Sequence, residues 1–344
     1  MHYTSTDKLV AGNVVARTIQ GSGDMLMIAK GVMLTDNIIA RMKSHGIQLV
    51  CIEDKLDTQD VIDIVPQALR MEAVSVIKEV TLAMKDSVKP KGNFVNVLDS
   101  IVTAIIHELT SNNKNLVSVL DLKTYDNYTF EHSVNVAILS LVTGMEIGCD
   151  YSKLKNIGVG ALLHDIGKTL IPVDILNKKG KLTEEEFDLV KKHPALGYHK
   201  SKLTLDIDPT ARAIILQHHE KINGTGYPSG KTDDTIHEYA RIVAVCDIYD
   251  ALASNRPYRR RWPIKETLDL LKSICGTHID TQIYTAFMGR ISPFPPGIRV
   301  SVSNGKEGFV LNNENNLRPL VGFADGSVLD LNKETHYYIR EIVE

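Results

Sequence analysis

An adjacent histidine and aspartate, His164 and Asp165, stand near the C-terminal end of the apolar run 157–163. Neighbouring residues of a helix diverge by about 100°, so both side chains reach one centre only if it lies between them at a helix end. A metal ion suits that geometry because it accepts ligands from several directions. The pair therefore indicates a metal site at the end of a helix.

Five more residues of ligand type stand around this pair, separated by wide and similar intervals of chain. His132 precedes the pair, and His193 follows it. The adjacent histidines His218 and His219 come next, and Asp247 is the last of the set. These four positions, with the adjacent histidines counted as one, each lie on or at the end of a different predicted helix, which is how helical domains gather ligands in a central cleft.

The size of this set indicates two ions rather than one. Five imidazoles and two carboxylates exceed the roughly four to six ligands of one divalent ion, which must also keep a position open for water. Seven side chains favour two ions that share a bridging carboxylate. Such a pair lowers the pKa of a bridging water and neutralises charge during an in-line displacement at phosphorus. The expected chemistry is phosphate-ester hydrolysis.

Three motifs carry a resemblance to a known family. Residues 164–168 read HDIGK, residues 218–220 read HHE, and residues 224–228 read GTGYP. With these motifs in order and at the family's spacing, the region from roughly 120 to 290 resembles the HD-GYP family. Members of this family are cyclic di-GMP phosphodiesterases within the HD metal-hydrolase superfamily. A lone histidine–aspartate pair would be a much weaker signal.

The resemblance implies a role for each ligand residue. One ion would be held by the ligands general to HD proteins, which correspond to His132, His164, Asp165 and Asp247. The second ion would be held by three further imidazoles, with Asp165 bridging the two: His193, His218 and His219. Ligand type alone allows Fe, Mn, Ni, Co or Zn. The resemblance favours iron or manganese as the two divalent transition-metal ions.

The resemblance also implies contacts with the substrate. Lys168 matches the family lysine near the scissile phosphate, where it could stabilise developing charge or assist the leaving oxygen. Asp165 and Lys168 are therefore the expected catalytic residues. Arg256 and Arg259 match basic residues that hold the phosphates of the substrate. Gly226-Tyr227-Pro228 matches the loop that names the family, which shapes one side of the active site and offers a contact surface to a signalling protein.

The function implied by this resemblance is hydrolysis of cyclic di-GMP to linear pGpG by a metal-bridging hydroxide, in bacterial second-messenger signalling. Slow further hydrolysis to GMP stays open. Two alternatives also stay open. One is an HD hydrolase acting on another cyclic dinucleotide, and the other is a catalytically weak receptor that binds cyclic di-GMP and signals through other parts of the chain.

Two positions depart from the family pattern. Some members have a glutamate four residues before the first histidine, which helps to hold a third metal; this chain has Tyr128, which favours two ions. The family usually has an aspartate before Gly224, where this chain has Asn223. Asparagine keeps the hydrogen bonding of a turn but loses the charge, which lends the receptor alternative some support.

Two acidic residues outside the ligand set are candidates to orient ligand imidazoles. Asp250 lies three residues beyond Asp247 and so on the same helix face. Glu220 directly follows the histidine pair 218–219. Hydrogen bonds from such residues hold ligand rings in place in many metal sites.

The elements that must position these residues are predominantly helical. The apolar pattern predicts an all-helical HD-type domain over 116–290, preceded by a small α/β domain over 1–60 and a helical linker over 61–115. A β-rich appendage with two hairpin signals follows over 291–344. The N-terminal domain is a candidate regulatory unit. The two linker helices, near 66–88 and 98–109, are either a dimerising linker or part of the core of the next domain.

The composition of the chain restricts its expected binding partners and its expected cellular location. Across 344 residues, 39 Lys and Arg against 42 Asp and Glu give a net charge of −3, which does not favour a nucleic-acid polymer or an anionic membrane surface. The four cysteines lie far apart and contain no C-x-x-C pair. No run reaches ~18 uninterrupted apolar residues. We therefore expect a cytoplasmic protein without membrane insertion, and a homodimer is compatible with the linker.

Overall fold

The computed structural model describes residues 2–343 except 17, 21–25, 46, 48, 54–63, 86–93, 112–116, 118–127, 179, 255–261 and 313–316. The fold is mainly α, as the sequence pattern predicts: a helical domain lies between a small N-terminal α/β part and a C-terminal sheet. The boundaries drawn between these parts stay predictions.

The N-terminal part consists of two strand pairs and one helix. Strand β1 (His2–Ser5) pairs antiparallel with β4 (Leu49–Ile52), and β2 (Ile19–Gln20) pairs antiparallel with β3 (Leu26–Ile28). Helix α1 (Asp36–Ser44) begins after Thr35, whose hydroxyl accepts a hydrogen bond from the Ile38 amide. The apolar side chains of this part form a separate small core.

The linker region forms helices α2 (Gln67–Lys85) and α3 (Phe94–Ser111). Their apolar faces join the core of the helical domain, with Ile77 on α2 and Leu98 on α3 almost completely buried. The structure thus places both helices against the following domain. Among the described helices, α3 alone has the length and hydropathy of a membrane-spanning segment, and its apolar face packs into this core.

The helical domain is built around helix α4 (Tyr128–Ile147), which contacts α5 (Tyr151–Leu163), α10 (Glu238–Ala253) and α12 (Thr281–Arg290). Thr183 and Glu186 form a capping box with both hydrogen bonds present, and Pro209 is the first residue of its helix. Two 3₁₀ turns, Ile166–Leu170 and Asp233–Thr235, connect helices. The other described helices of this domain are α6 (Val173–Leu176), α7 (Glu184–Val190), α8 (His193–Thr204), α9 (Pro209–Gln217) and α11 (Ile264–Ile274).

The C-terminal part consists of strands β5 (Arg299–Val302), β6 (Glu307–Asn312), β7 (Leu320–Phe323), β8 (Val328–Asp330) and β9 (Ile339–Ile342). They form one antiparallel sheet in the order β8-β7-β6-β5-β9. Gly305 and Gly326 stand in its predicted hairpin turns with φ of +85° and +80°, a region that favours glycine. The buried side chains of this sheet belong to the same core as the helical domain.

Candidate metal centre

The seven residues predicted as metal ligands meet in one place inside the helical domain. They come from the inner faces of α4 and α10, the C-terminal ends of α5 and α9, and the first residue of α8. All are buried except His219, whose side chain is 26% exposed. The set is His132, His164, Asp165, His193, His218, His219 and Asp247.

The Asp165 carboxylate faces two different sets of imidazoles. Its Oδ1 atom lies 3.3 Å from His193 Nε2 and 3.8 Å from His218 Nε2. Its Oδ2 atom lies 3.4 Å from His164 Nε2 and 3.8 Å from His132 Nε2. One carboxylate thus points an oxygen toward each set, which is the arrangement of a bridging ligand.

The ligand atoms fall into two groups, within each of which they all lie within 4.8 Å of one another. Atoms that share one ion, each about 2.0–2.2 Å from it, lie roughly 3–4 Å apart, so both groups are near the required size. We call the first the His132 group, which consists of His132, His164 and Asp247. We call the second the His193 group, which consists of Asp165, His193, His218 and His219.

Asp247 extends from the His132 group toward the other one. Its Oδ1 atom lies 3.0 Å from His132 Nε2 and 3.9 Å from His164 Nε2. Its Oδ2 atom lies 3.9 Å from His219 Nδ1. The two groups are therefore contiguous, and a single phosphate could contact ions held in both.

Three of the candidate ligand imidazoles are fixed by the same local hydrogen bond. In His164, His193 and His218 the Nδ1 atom donates to the backbone carbonyl oxygen three residues earlier, at 2.7, 2.8 and 3.1 Å. Because a carbonyl oxygen only accepts, Nδ1 carries the proton and the Nε2 lone pair is left for the centre. Metal-binding histidines typically have this arrangement.

Two buried atoms at the centre lack a hydrogen-bond partner among the residues that the structure describes: His164 Nε2 and Asp165 Oδ1. An unpaired buried polar atom costs about 1–3 kcal/mol, so such atoms need another kind of partner. Burial opposes charge on His164, yet the Asp165 carboxylate raises its pKa. The centre thus attracts a cation, and the residues present fit a metal ion.

The remaining pKa shifts favour the protonation states that metal ligands need. Burial lowers the pKa of His218 to about 4, and burial together with His218 holds the pKa of His219 well below its usual value. Burial opposes the charge of Asp165 and Asp247, but the Lys168 ammonium beside Asp165 and the His132 imidazole beside Asp247 outweigh it and hold the pKa of both carboxyl groups well below its usual value. At neutral pH these two imidazoles are neutral and both carboxylates are ionised.

The Asp250 side chain lies directly behind one ligand. Its Oδ2 atom accepts a hydrogen bond from His132 Nδ1 at 2.6 Å, so Asp250 contacts a ligand imidazole as expected of a residue that orients it. Its Oδ1 atom accepts from Asn135 Nδ2 and from Ser254 Oγ. Asn135 was not predicted from the sequence, although its position three residues after His132 on the same helix face could have indicated it.

Lys168 lies on the 3₁₀ turn that follows Asp165. Its Nζ atom is 2.5 Å from Asp165 Oδ2, and its side chain is 30% exposed. An ammonium that is both next to this carboxylate and accessible can reach a phosphate at the centre. The preceding residue, Gly167, is a further functional position: a Cβ there would collide with the His193 carbonyl oxygen. This glycine lets the turn pack against the start of α8.

The loop Gly226-Tyr227-Pro228 lies against the His193 group. The Tyr227 ring centroid is 4.7 Å from that of His219, and the Tyr227 amide donates to the His219 carbonyl oxygen at 3.2 Å. A Cβ at Gly226 would lie 2.6 Å from the same carbonyl oxygen, so only glycine fits there. Burial and the charges of Asp165 and Asp247 raise the pKa of the Tyr227 hydroxyl, which therefore stays protonated.

Glu220 has a different role from the one expected. Rather than orienting an imidazole, its buried carboxylate accepts hydrogen bonds from the backbone amides of Ser229 and Lys231, at 2.8 and 2.9 Å. Both amides belong to the segment just after the Gly226-Tyr227-Pro228 loop. Through these hydrogen bonds Glu220 holds the segment after that loop next to the HHE motif at 218–220. The partners lie nine and eleven residues away, at a spacing that no helix or strand pattern reveals.

The departure at Asn223 leaves its turn intact. The Asn223 side-chain oxygen accepts from the amide and the hydroxyl of Thr225, at 3.1 and 2.8 Å. Asparagine therefore makes the hydrogen bonds expected of a side chain in this turn. Arg256 and Arg259, predicted to hold substrate phosphates, lie outside the described residues.

Comparison with known proteins places the helical domain in a family. Residues 115–283 match the family model of the HD domain. A cyclic di-GMP phosphodiesterase of Pseudomonas aeruginosa is 40% identical over 199 residues, covering 57% of this chain and 47% of that protein. A 3'3'-cGAMP-specific phosphodiesterase of Vibrio cholerae is 34% identical over 170 residues, covering 49% of this chain and 36% of that protein. The chain thus matches less than half the length of these relatives.

A solved structure shows a similar fold. An HDG"Y"P protein from Bdellovibrio bacteriovorus is similar with a TM-score of 0.56 and 21% identity, covering 83% of this chain and 97% of that one. Helices that bring histidines and aspartates to one buried centre define an HD domain. Residues 115–283 thus match an HD domain, and the motifs that resemble the HD-GYP family lie within them.

Proposed function

We propose that this protein is a metal-dependent phosphodiesterase that opens cyclic di-GMP to linear pGpG, with slow further hydrolysis to GMP. The observation that carries the proposal is the Asp165 carboxylate between the His132 group and the His193 group. Two adjoining ligand groups suit two ions acting on one phosphodiester. The similarity to a cyclic di-GMP phosphodiesterase of Pseudomonas aeruginosa supports this substrate.

Two divalent ions, iron or manganese, complete the proposed centre. When bound, such ions lower the pKa of a water and neutralise charge on phosphate oxygens. The Nδ1 hydrogen bonds of His164, His193 and His218 keep their Nε2 atoms directed at the centre without reorganisation. Ligand atoms that are already oriented before an ion binds favour a catalytic metal site over nonspecific metal binding.

Lys168 is the proposed contact to the scissile phosphate. Its ammonium already lies beside Asp165 and is partly exposed, so it can counter charge on the phosphate or on the leaving oxygen. Arg256 and Arg259 are proposed, on their sequence positions, to hold the phosphates of the substrate. Positive charge placed locally in this way serves an anionic substrate despite the net charge of −3.

A second candidate substrate is 3'3'-cGAMP. The observation that favours it is the 34% identity to a 3'3'-cGAMP-specific phosphodiesterase of Vibrio cholerae. The receptor alternative has less support, because Asn223 keeps the turn hydrogen bonds and the ligand set is complete.

Contacts with other proteins also belong to this proposal. Pro228, the last residue of the Gly226-Tyr227-Pro228 loop, is exposed, and so are the next two residues, Ser229 and Gly230. This exposure supports a contact with a signalling protein there. A homodimer and a cytoplasmic location stay predictions from the sequence.

A nucleotide panel tests this proposal. Protein purified without oxygen and loaded with Mn²⁺ or Fe²⁺ would be incubated with cyclic di-GMP, 3'3'-cGAMP and a guanosine polyphosphate, with Asp165→Asn as the inactive control. We expect pGpG from cyclic di-GMP as the main product. Faster turnover of 3'3'-cGAMP would reassign the substrate. Binding of cyclic di-GMP without any product would favour the receptor.

A further inference from the structure

Arg70 is a buried cation on the linker helix α2, with only 6% of its surface exposed. Its Nη1 atom donates to Asn135 Oδ1 at 3.1 Å, and its Nε atom donates to the Val65 carbonyl oxygen at 3.3 Å. Burying a guanidinium is costly unless its donors are satisfied by specific partners. Its partner Asn135 lies one helical turn from the ligand His132.

The hydrogen bonds from Arg70 continue to the metal centre. Asn135 Nδ2 donates to Asp250 Oδ1 at 3.2 Å, and Asp250 Oδ2 accepts from His132 Nδ1 at 2.6 Å. A guanidinium only donates, so the oxygen of Asn135 must face Arg70 and its amino group must face Asp250. Each side chain thus sets the orientation of the next, and the series ends at the metal-facing His132 Nε2.

The helix that carries Arg70 also packs behind the other ligand group. Helix α2 contacts the 3₁₀ turn Ile166–Leu170, which holds Lys168, and it contacts α8, which begins at His193. Yet α2 lies before residue 115, where the match to the HD domain begins. The part of the chain that supports the centre is therefore larger than the HD domain itself.

We propose that Arg70 is a positioning residue of the metal centre, acting through Asn135 and Asp250 to hold His132. The linker helix α2 is thereby a structural part of the centre. The inference rests on the metal centre of the proposed function, and it requires no particular substrate. Loss of Arg70 should leave the Asn135 amide free to turn and should weaken the hold on His132.

The test is Mn²⁺ binding by the full chain, measured by calorimetric titration together with metal analysis. In Arg70→Met we expect one ion to bind roughly 10–100-fold more weakly, because mutation of groups behind a ligand typically has that effect. The ion of the His193 group should keep its affinity. Ile77→Val, also buried on α2 but outside the hydrogen-bond series, is the matched control and should bind both ions as the parent does.

Arg70→Lys provides a milder variant that keeps the charge. If Arg70→Met does not fold, the same titration of Arg70→Lys decides, and we expect selective weakening of one ion there too. Parent-like binding of both ions in the folded variant, or equal weakening of both, would overturn the inference. Failure of the proposed function is a separate outcome, since a protein that turns over no cyclic dinucleotide can still show this selective loss.

Discussion

The His132 imidazole donates through Nδ1 to the fully buried carboxylate of Asp250 at 2.6 Å, while its Nε2 faces Asp247 at 3.0 Å. One ring is thus held between a carboxylate behind it and a carboxylate that shares its proposed metal ion. The charge of Asp250 fixes the ring and makes its Nε2 a better ligand.

Replacement of Asp250 by asparagine should therefore weaken one metal ion. The asparagine amide lacks the negative charge of the Asp250 carboxylate. If its amino group faces His132, two hydrogen-bond donors oppose each other, because His132 Nδ1 also carries a proton. We expect Asp250→Asn to lower affinity at the His132 group by roughly 10–100-fold, measured by Mn²⁺ titration. Asp269→Asn, on the exposed side of α11, is the control. Parent-like affinity in Asp250→Asn would show that the ring needs no support.

Gly167 should not tolerate a side chain. A Cβ there would collide with the His193 carbonyl oxygen, and neither backbone can move without displacing a ligand. We expect Gly167→Ala to lose about 1–3 kcal/mol or more in urea unfolding and to retain less metal. Gly289→Ala, in a helix with open space around the added methyl, should be neutral or slightly stabilising. Equal stability of the two variants would contradict this packing.

The charge of Glu220 should stabilise the Gly226-Tyr227-Pro228 loop and the segment that follows it. Glutamine can accept from one of the two loop amides, but its amino group would oppose the other. We expect Glu220→Gln to lower the free energy of unfolding by about 1–3 kcal/mol. Chemical denaturation of the metal-free protein would measure this without a contribution from bound ions. An unchanged midpoint would mean that Ser229 and Lys231 need no anchor.

The metal-free protein should lose stability in mild acid. The pKa of His218 is about 4 in the fold and about 6.5 when unperturbed, so between these values the unfolded chain binds more protons. Stability must then fall as pH falls from about 6.5 toward about 4. Urea unfolding of chelator-treated protein at pH 7 and pH 5 would measure the loss. A His218→Gln variant with an equal loss would contradict this assignment.

The sequence predicted the mainly α fold, and it singled out the seven candidate ligands that meet in one place, because both follow from local patterns and ordered motifs. Other features depend on contacts between distant segments. Arg70 and Asn135 are 65 residues apart in the sequence, and the residues around each of them do not predict their hydrogen bond. Glu220 was expected beside an imidazole because of its position in the motif, whereas its oxygens turn toward the later loop.

The packing of α2, α3 and the C-terminal strands could not be predicted from the sequence either. Apolar periodicity on α2 and α3 shows that one face is buried, but it does not say whether the partner is a second chain or the next domain. The C-terminal strands were predicted as an appendage, yet Val300 and Val310 share the core of the helical domain. Local patterns reveal which face is apolar, and only the assembled fold reveals what covers it.

Hydrolysis of cyclic di-GMP as a function of bound metal tests the central claim most directly. Metal-free protein would receive Mn²⁺ or Fe²⁺ in steps from zero to two equivalents without oxygen, with pGpG quantified at each step. The two adjoining ligand groups predict that full activity appears only as the second equivalent binds. Full activity at one equivalent, or no hydrolysis with both ions bound, would contradict the account.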